Sequence, residues 1–300
     1  MRPRAALTLL LFVAAALADA PTAAGRDAQR EAVERHVFVT VTDARGQPVE
    51  GLTPADFVVR EDGVVREVLR VAPTAPPSHV ALLADNSGAS APLLIELRAG
   101  LLKFVLSMTA LPAPPSMSLI TVAERPATAV PYTTSDIVLE RGIERLFPRP
   151  NSGSYLLDAV VEACEAFRKM GAERPAVVAF AIEASPAFSN HLHTRVADAL
   201  KEAGASLWTI QVQENRPADS LEARERDRLV NDVTAWSGGR HTPVLSPQGI
   251  EQAFVRTSAA MLGRYDVTYG RPDALIPPDR LTVETRNRQL RVAAPRWAVR

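Results

Sequence analysis

Apolar positions along the chain change their period twice. At residues 36–42 they alternate with polar ones (His-Val-Phe-Val-Thr-Val-Thr) and run into a turn, Asp43-Ala44-Arg45-Gly46. Alternation returns at residues 57–60 and 64–69, with Glu61-Asp62-Gly63 between them. Period two predicts half-buried strands, and Asp-Gly between two β-rich runs predicts a hairpin. A stretch with three prolines, Pro73, Pro76 and Pro77, then reads as a linker. From His79 the pattern becomes short strand-like runs without Asp, Glu, Lys or Arg at residues 80–84, 117–122, 176–182, 206–212 and 241–245, the first and third of them wholly apolar. Such runs suit strands covered on both faces. Between them lie segments of helical spacing at residues 91–109, 135–146, 155–170, 193–203, 221–236 and 247–262, with Ala127-Thr128-Ala129-Val130-Pro131-Tyr132 as a candidate edge strand. Strand-helix alternation predicts an α/β fold: a doubly wound, mostly parallel sheet with helices on both faces and right-handed crossovers. Alternation resumes at residues 265–269, 280–284 and 289–293. The flanking segments are expected to form one small all-β module, with the α/β domain inserted between them.

The chain thus divides into a signal peptide at 1–18, a flexible lead-in at 19–34, an N-terminal β module with its linker at 35–77, the α/β domain at 78–264 and a C-terminal β segment at 265–300. The signal peptide is read from Arg2 and Arg4, the uncharged run of residues 5–18 and the small-x-small site Ala16-Leu17-Ala18. That run is short of the about 20 apolar residues of a bilayer span, and no later stretch is long enough either. The expectation is an exported protein, periplasmic or secreted, beginning near Asp19, with no integral span after cleavage.

The stretch that organises the chain is residues 79–90, His-Val-Ala-Leu-Leu-Ala-Asp-Asn-Ser-Gly-Ala-Ser. An apolar strand breaks into Asp85, Asn86, Ser87 and Gly88, and a helix comes next with Ser90 as candidate N-cap and Pro92 in its first turn. A carboxylate and hydroxyls therefore sit where a central strand hands over to a helix, the edge at which open α/β sheets bind ligands.

Strand-Asp-x-Ser-x-Ser-helix is the pattern that this loop resembles, that of the von Willebrand factor A (vWA) domain. The resemblance implies a vWA/Rossmann-like sheet and a metal-ion-dependent adhesion site built from three loops and usually holding Mg²⁺. Asp85 and Ser87 match the first loop, and Ala89 stands where the family has a second Ser. Gly153-Ser154-Tyr155-Leu156-Leu157-Asp158-Ala159 has the layout of the second loop, with Ser154 in the place of Thr. Glu183, after the strand of residues 177–182, stands in the place of the third-loop Asp. The turn Trp236-Ser237-Gly238-Gly239-Arg240 resembles the family's late Ser/Thr-Gly-Gly turn. The flank Val41-Thr42-Asp43, Gly46-Gln47-Pro48-Val49, Leu52-Thr53-Pro54-Ala55-Asp56-Phe57 and Glu61-Asp62-Gly63 resembles the bacterial subgroup called VWFA-related, Acidobacteria type.

Magnesium takes hard oxygen ligands in a strict octahedron and tolerates poor geometry badly. With Ala89 lacking a ligand oxygen and Glu183 longer than Asp by a methylene, the resemblance implies a degenerate site of Asp85, Ser87, Ser154 and Glu183. Mg²⁺ binding is expected to be weak or absent, unless Ser90 fills the gap through a one-residue slip.

Composition narrows the partners. The 300 residues are 47% apolar, enough to bury a sizeable core. Lys+Arg and Asp+Glu both number 34, so there is no dominant attraction to nucleic acid. A single cysteine, Cys164, excludes an intramolecular disulfide and a cysteine zinc site. Cys164 lies on the apolar side of its helix and, with Trp208 and Trp236, is a core candidate. His191-Leu192-His193 lacks a third ligand and reads as a solvated helix start, and residues 222–228 read as an exposed helix face. A Ser154–His–Asp158 hydrolase has no His beside Ser154, and no nucleophile elbow, zincin, P-loop or dinucleotide fingerprint is present. The reading is a non-catalytic protein-binding or adhesion module, not an enzyme, with an acidic residue of a protein partner as candidate contact. The alternatives are an extracytoplasmic hydrolase, or a scaffold in which the β module does the binding.

Overall fold

A computed structural model describes residues 32–214, 219–272, 276 and 278–297. The expected signal peptide lies outside the described residues, as does the expected lead-in up to residue 31.

The chain opens with β1 (Ala32–Thr42), β2 (Phe57–Glu61), β3 (Val64–Arg66) and β4 (Val68–Pro73). The α/β part comes next, as β5 (His79–Ala84), α1 (Leu94–Thr109), β6 (Ser116–Thr121), β7 (Ala127–Thr133), α2 (Asp136–Glu144), α3 (Leu156–Met170) and β8 (Ala176–Ile182). It continues as α4 (His193–Ala203), β9 (Ser206–Val212), α5 (Leu221–Arg228), a π-helical turn (Leu229–Val233), a last helical turn α6 (Thr234–Trp236), β10 (His241–Val244) and α7 (Gly249–Leu262). The chain closes with β11 (Arg264–Pro272), β12 (Leu281–Thr285) and β13 (Arg291–Ala293).

The central sheet has six strands in the order β10-β9-β8-β5-β6-β7. All neighbours pair parallel except β7, an antiparallel edge on β6. The expected doubly wound, mostly parallel sheet is therefore borne out. The central strands β5 and β8 are almost wholly apolar because both of their faces are covered, and successive residues of β5 alternate between two cores. Val80, Leu82 and Ala84 of β5 join one core with Leu97, Phe104 and Phe254 of α1 and α7. Ala81 and Leu83 join the other with Val160, Cys164 and Phe167 of α3 and Val196 of α4. Helices α3 and α4 end on Gly171 and Gly204 in the left-handed conformation, where a Cβ would carry a steric cost.

The flanking strands pack together. β1 runs antiparallel to β11 from Ala32↔Pro272 to Thr40↔Arg264, and the four-stranded sheet is β13-β1-β11-β4. A three-stranded sheet, β12-β2-β3, faces it. Val37, Val39 and Val41 of β1, Val59 of β2, Tyr265, Val267 and Tyr269 of β11 and Val283 of β12 form a third core between them. The Asp62-Gly63 hairpin joins β2 to β3 with positive φ at both residues, the geometry of a two-residue hairpin turn.

Three expectations on elements need correction. The lead-in ends earlier than residue 34, because β11 is long enough to pair with β1 back to Ala32. The run of residues 64–69 is two strands, since the chain leaves β2 after Arg66 and crosses to β11 as β4. The helix after Asp85 does not start on Ser90: a 3₁₀ segment (Gly88–Leu93) intervenes, with Ser87 preceding it and Pro92 inside it.

Candidate functional site

The strand order reverses beside β5: β6 lies on one side of it and β8 on the other. The carboxyl ends of β5 and β8 therefore flank the switch point of the sheet. Asp85 comes directly after β5 and Glu183 directly after β8.

Three loops are laced together over these ends by hydrogen bonds from backbone amides. The amide of Arg149 donates to the Asn86 carbonyl at 2.8 Å, and the amide of Ala123 to Asn86 Oδ1 at 3.2 Å. The amide of Ser154 donates to the Pro186 carbonyl at 2.7 Å, and that of Phe188 to the Ser154 carbonyl at 3.0 Å. Gly153 permits this approach, since a Cβ there would lie 2.4 Å from the Pro186 oxygen. Asp158, in the first turn of α3, accepts from the Asn190 and His191 amides at 3.0 and 3.1 Å and so ties down the far end of the third loop.

Within this frame Asp85, Ser87 and Ser154 are all buried, at 1%, 0% and 2% exposure. Asp85 Oδ1 accepts from the Ser87 amide at 3.0 Å. The Ser185 hydroxyl donates to Ser87 Oγ at 2.8 Å, a bond that joins the first and third loops across the switch point. Sequence reasoning misses Ser185; its small polar side chain two residues past Glu183 is the only local signal. Asp85 Oδ2 and Ser154 Oγ are buried without a hydrogen-bond partner among the described residues. Burial pushes the Asp85 carboxyl above the usual carboxylate range, while Ser87, Ser185 and Ser154 stand near enough to oppose that rise.

Two members of the expected set behave differently. Glu183 adjoins the end of β8, but its Oε2 accepts from the backbone amide of Glu214 past the end of β9. Its extra methylene carries the carboxylate to the neighbouring strand's loop. Ala89 packs against the core on the α1 side of the sheet and supplies no oxygen. Ser90 does not slip into the gap: its buried hydroxyl donates to the Ser87 carbonyl at 2.8 Å.

Helix α5, which comes after β9, is also less solvated than its mixed charges suggest. Glu225 and Arg226 are buried. The Arg226 guanidinium donates to the carbonyls of Ile182, Glu183 and Ser185 at 3.3, 2.9 and 2.6 Å, and so caps the end of β8. Glu225 Oε2 lies 2.6 Å from His193 Nδ1 and also accepts the His193 amide at 2.8 Å. His193 is thus part of a packed pair joining α4 to α5, not a solvated helix start. Cys164 is buried as expected, and burial pushes its thiol up to about 12.

The donors at the switch point are all hard oxygens, the type Mg²⁺ takes, and the two orphaned oxygens on Asp85 and Ser154 are the kind of buried group that a cation satisfies. In number and charge the set is short. It offers one carboxylate and three hydroxyls, and a group of three or more His, Cys, Asp or Glu side chains placed to hold a metal is not found among the described residues.

No protein-family model and no curated protein matches the chain. Solved structures resemble it in fold. The von Willebrand factor type A protein from Catenulispora acidiphila is 8% identical over 90% of this chain and 75% of its own, at TM-score 0.48. The vWF domain of the type V pili tip protein Mfa5 from Porphyromonas gingivalis is 12% identical over 62% of this chain and 95% of its own, at 0.47. Proximal thread matrix protein 1 from the mussel byssus is 13% identical over 62% of this chain, at 0.48, and this chain spans 48% of its length.

Proposed function

We propose that this chain is a non-catalytic protein-binding module of the vWA type with a degenerate metal-ion-dependent adhesion site. The observation that carries the reading is the meeting of Asp85, Ser87, Ser154 and Ser185 at the switch point, with Asp85 Oδ2 and Ser154 Oγ buried and unpartnered among the described residues. Asp85, Ser87 and Ser154 would hold Mg²⁺ where it binds, and the ion would then offer a positive, open position to an acidic group of a partner. The residues themselves do the rest. Ser185 orients the Ser87 hydroxyl, Gly153 lets the second loop close on the third, and Arg226 and Asp158 fix the third loop at its two ends. With Glu183 engaged elsewhere and Ala89 mute, the ion is held weakly.

The flanking segment with Glu61-Asp62-Gly63 supports placing the chain in the VWFA-related, Acidobacteria-type subgroup, and the basic, then apolar, start supports export. Among the described residues no helix is long and apolar enough to cross a membrane. A hydrolase is the lesser reading because, among the described residues, no histidine stands among the hydrogen bonds of Ser87, Ser154 or Ser185.

The test is capture from the native exported fraction on immobilised protein, with Mg²⁺ or with chelator, using wild type and Asp85→Ala. The expected result is a discrete protein partner retained by wild type and reduced by Asp85→Ala. Turnover of ester or peptide substrates that Asp85→Ala or Ser154→Ala abolishes would replace the binding reading with an enzymatic one.

A further inference from the structure

A second polar cleft opens at the amino end of β10, where the β module meets the α/β domain, with a volume of about 310 Å³. It shares no residue with the Asp85 site, and a ligand bound in it would be independent of the function proposed for that site. Four arginines line it from four separate segments: Arg45 from the turn after β1, Arg240 before β10, Arg256 on α7 and Arg291 on β13. Among the described residues no acidic side chain is in the lining.

Among the described residues these guanidinium groups find little counter-charge. None of the four is ion-paired with a carboxylate among the described residues. The Arg240 Nη1 donates to Thr42 Oγ1 at 3.1 Å. Asp43 is the nearby carboxylate that favours the Arg240 charge, and its Oδ1 already accepts the Gln47 amide at 2.8 Å. Burial, then Arg291 and Arg256, hold Arg240 below its ordinary pKa, as expected for like charges gathered in a partly desolvated cleft. His241 lines the same cleft. Its Nδ1 lies 3.1 Å from Thr209 Oγ1, and its Nε2 is buried with no partner among the described residues.

Like charges at close range cost free energy unless a counter-charge joins them. A guanidinium presents a planar fork of donors that matches two oxygens of one tetrahedral anion. The forks of Arg45, Arg256 and Arg291, the remaining donors of Arg240 and an imidazole nitrogen with no partner among the described residues surround one small cleft. We propose that this cleft is a binding site for a multiply charged oxyanion of the phosphate or sulfate type. The site joins the two units of the chain, so its occupant would also tie the turn after β1 to α7.

The test uses the full chain in thermal melts and calorimetric titrations with sodium pyrophosphate, sodium sulfate and sodium chloride at matched ionic strength. Pyrophosphate and sulfate are expected to raise the melting temperature above the chloride control, and pyrophosphate to titrate to one site per chain. A larger shift with pyrophosphate assigns the phosphate source, and a larger shift with sulfate the sulfate source. The double variant Arg256→Gln/Arg291→Gln should weaken pyrophosphate binding at least tenfold while melting higher than wild type in chloride, because it relieves repulsion; a purely structural role would make it melt lower. Arg45→Gln, on an exposed turn, gives a second reading that does not depend on core folding and should weaken binding as well. Pyrophosphate shifts equal to chloride, or wild-type binding by both variants, would overturn the proposal.

Discussion

The two polar sites of the central sheet are built on opposite terms. At the carboxyl ends of β5 and β8, one carboxylate and three hydroxyls are buried and joined by short hydrogen bonds. At the amino end of β10, four guanidinium groups gather in an open cleft with little to balance them. The first site spends most of its polar capacity inside the protein and keeps two oxygens back; the second keeps nearly all of its capacity for something outside. Burial decides the difference, because a sealed group that lacks a partner costs more than a wet one.

If the sealed site is held from behind, the largest effect should come from its anchor. Arg226→Met would leave the carbonyls of Ile182, Glu183 and Ser185 without a donor. Lost hydrogen bonds to a charged group cost about 1.5–3 kcal/mol each, so urea unfolding should show a loss of roughly 3 kcal/mol or more. A loss under about 1 kcal/mol would mean that water replaces Arg226 and that the site is wetter than described.

Gly153→Ala should cost somewhat less. The new Cβ meets the Pro186 oxygen at 2.4 Å and the Phe188 ring at 2.5 Å, so the third loop has to move. Overpacking of this kind costs about 1–3 kcal/mol. By contrast, Arg45→Gln at the open cleft should leave urea stability within about 0.5 kcal/mol of wild type, as substitutions at exposed positions usually do.

Cys164 supplies a clock for comparing such variants. Its thiol is buried and pushed up to about 12, so the reactive thiolate is scarce in the native state. Alkylation at mildly alkaline pH should proceed only through opening of the α3 core and should speed up in Arg226→Met in step with its stability loss. Fast labelling of native wild type would show that α3 opens locally.

Much of this is legible in the sequence, for identifiable reasons. Residues 176–182 are an unbroken apolar run and residues 206–212 an uncharged one rich in large apolar side chains, and β8 and β9 have those bounds. Asp85 and Ser87 are neighbours in one loop, so a short pattern exposes them. Ser154 stands out by the glycine before it and the helix start after it. Arg226 is not legible: it sits in a run of alternating charges that looks solvated, and only the three-dimensional path of β8 puts carbonyls beneath it. Glu183 falls at the expected strand end, but which loop its longer side chain reaches depends on Glu214, 31 residues on. The arginine cleft is invisible, because Arg45, Arg240, Arg256 and Arg291 come together only when the β module docks on β10 and α7. Contiguous loops announce themselves; sites assembled from distant segments do not.

The smallest stability effect expected is at Asp85 itself. In chelator, Asp85→Asn should be neutral or stabilising by ~1 kcal/mol, since it removes a buried charge whose Oδ2 has no partner among the described residues.

The most direct test of the central claim, that this is an adhesion site short of one ligand, is the melting temperature of wild type, Ala89→Ser and Ala89→Ser/Asp85→Ala across a Mg²⁺ and Mn²⁺ titration. A ligand that binds only the folded state adds RT ln(1 + [L]/Kd), and each kcal/mol is about 2–4 °C for a domain of about 150–250 residues. The account predicts little or no shift for wild type at millimolar metal, a clear upward shift for Ala89→Ser, and none for the double variant. A large Asp85-dependent shift already present in wild type, unchanged by Ala89→Ser, would contradict it and show that the site is complete without the missing hydroxyl.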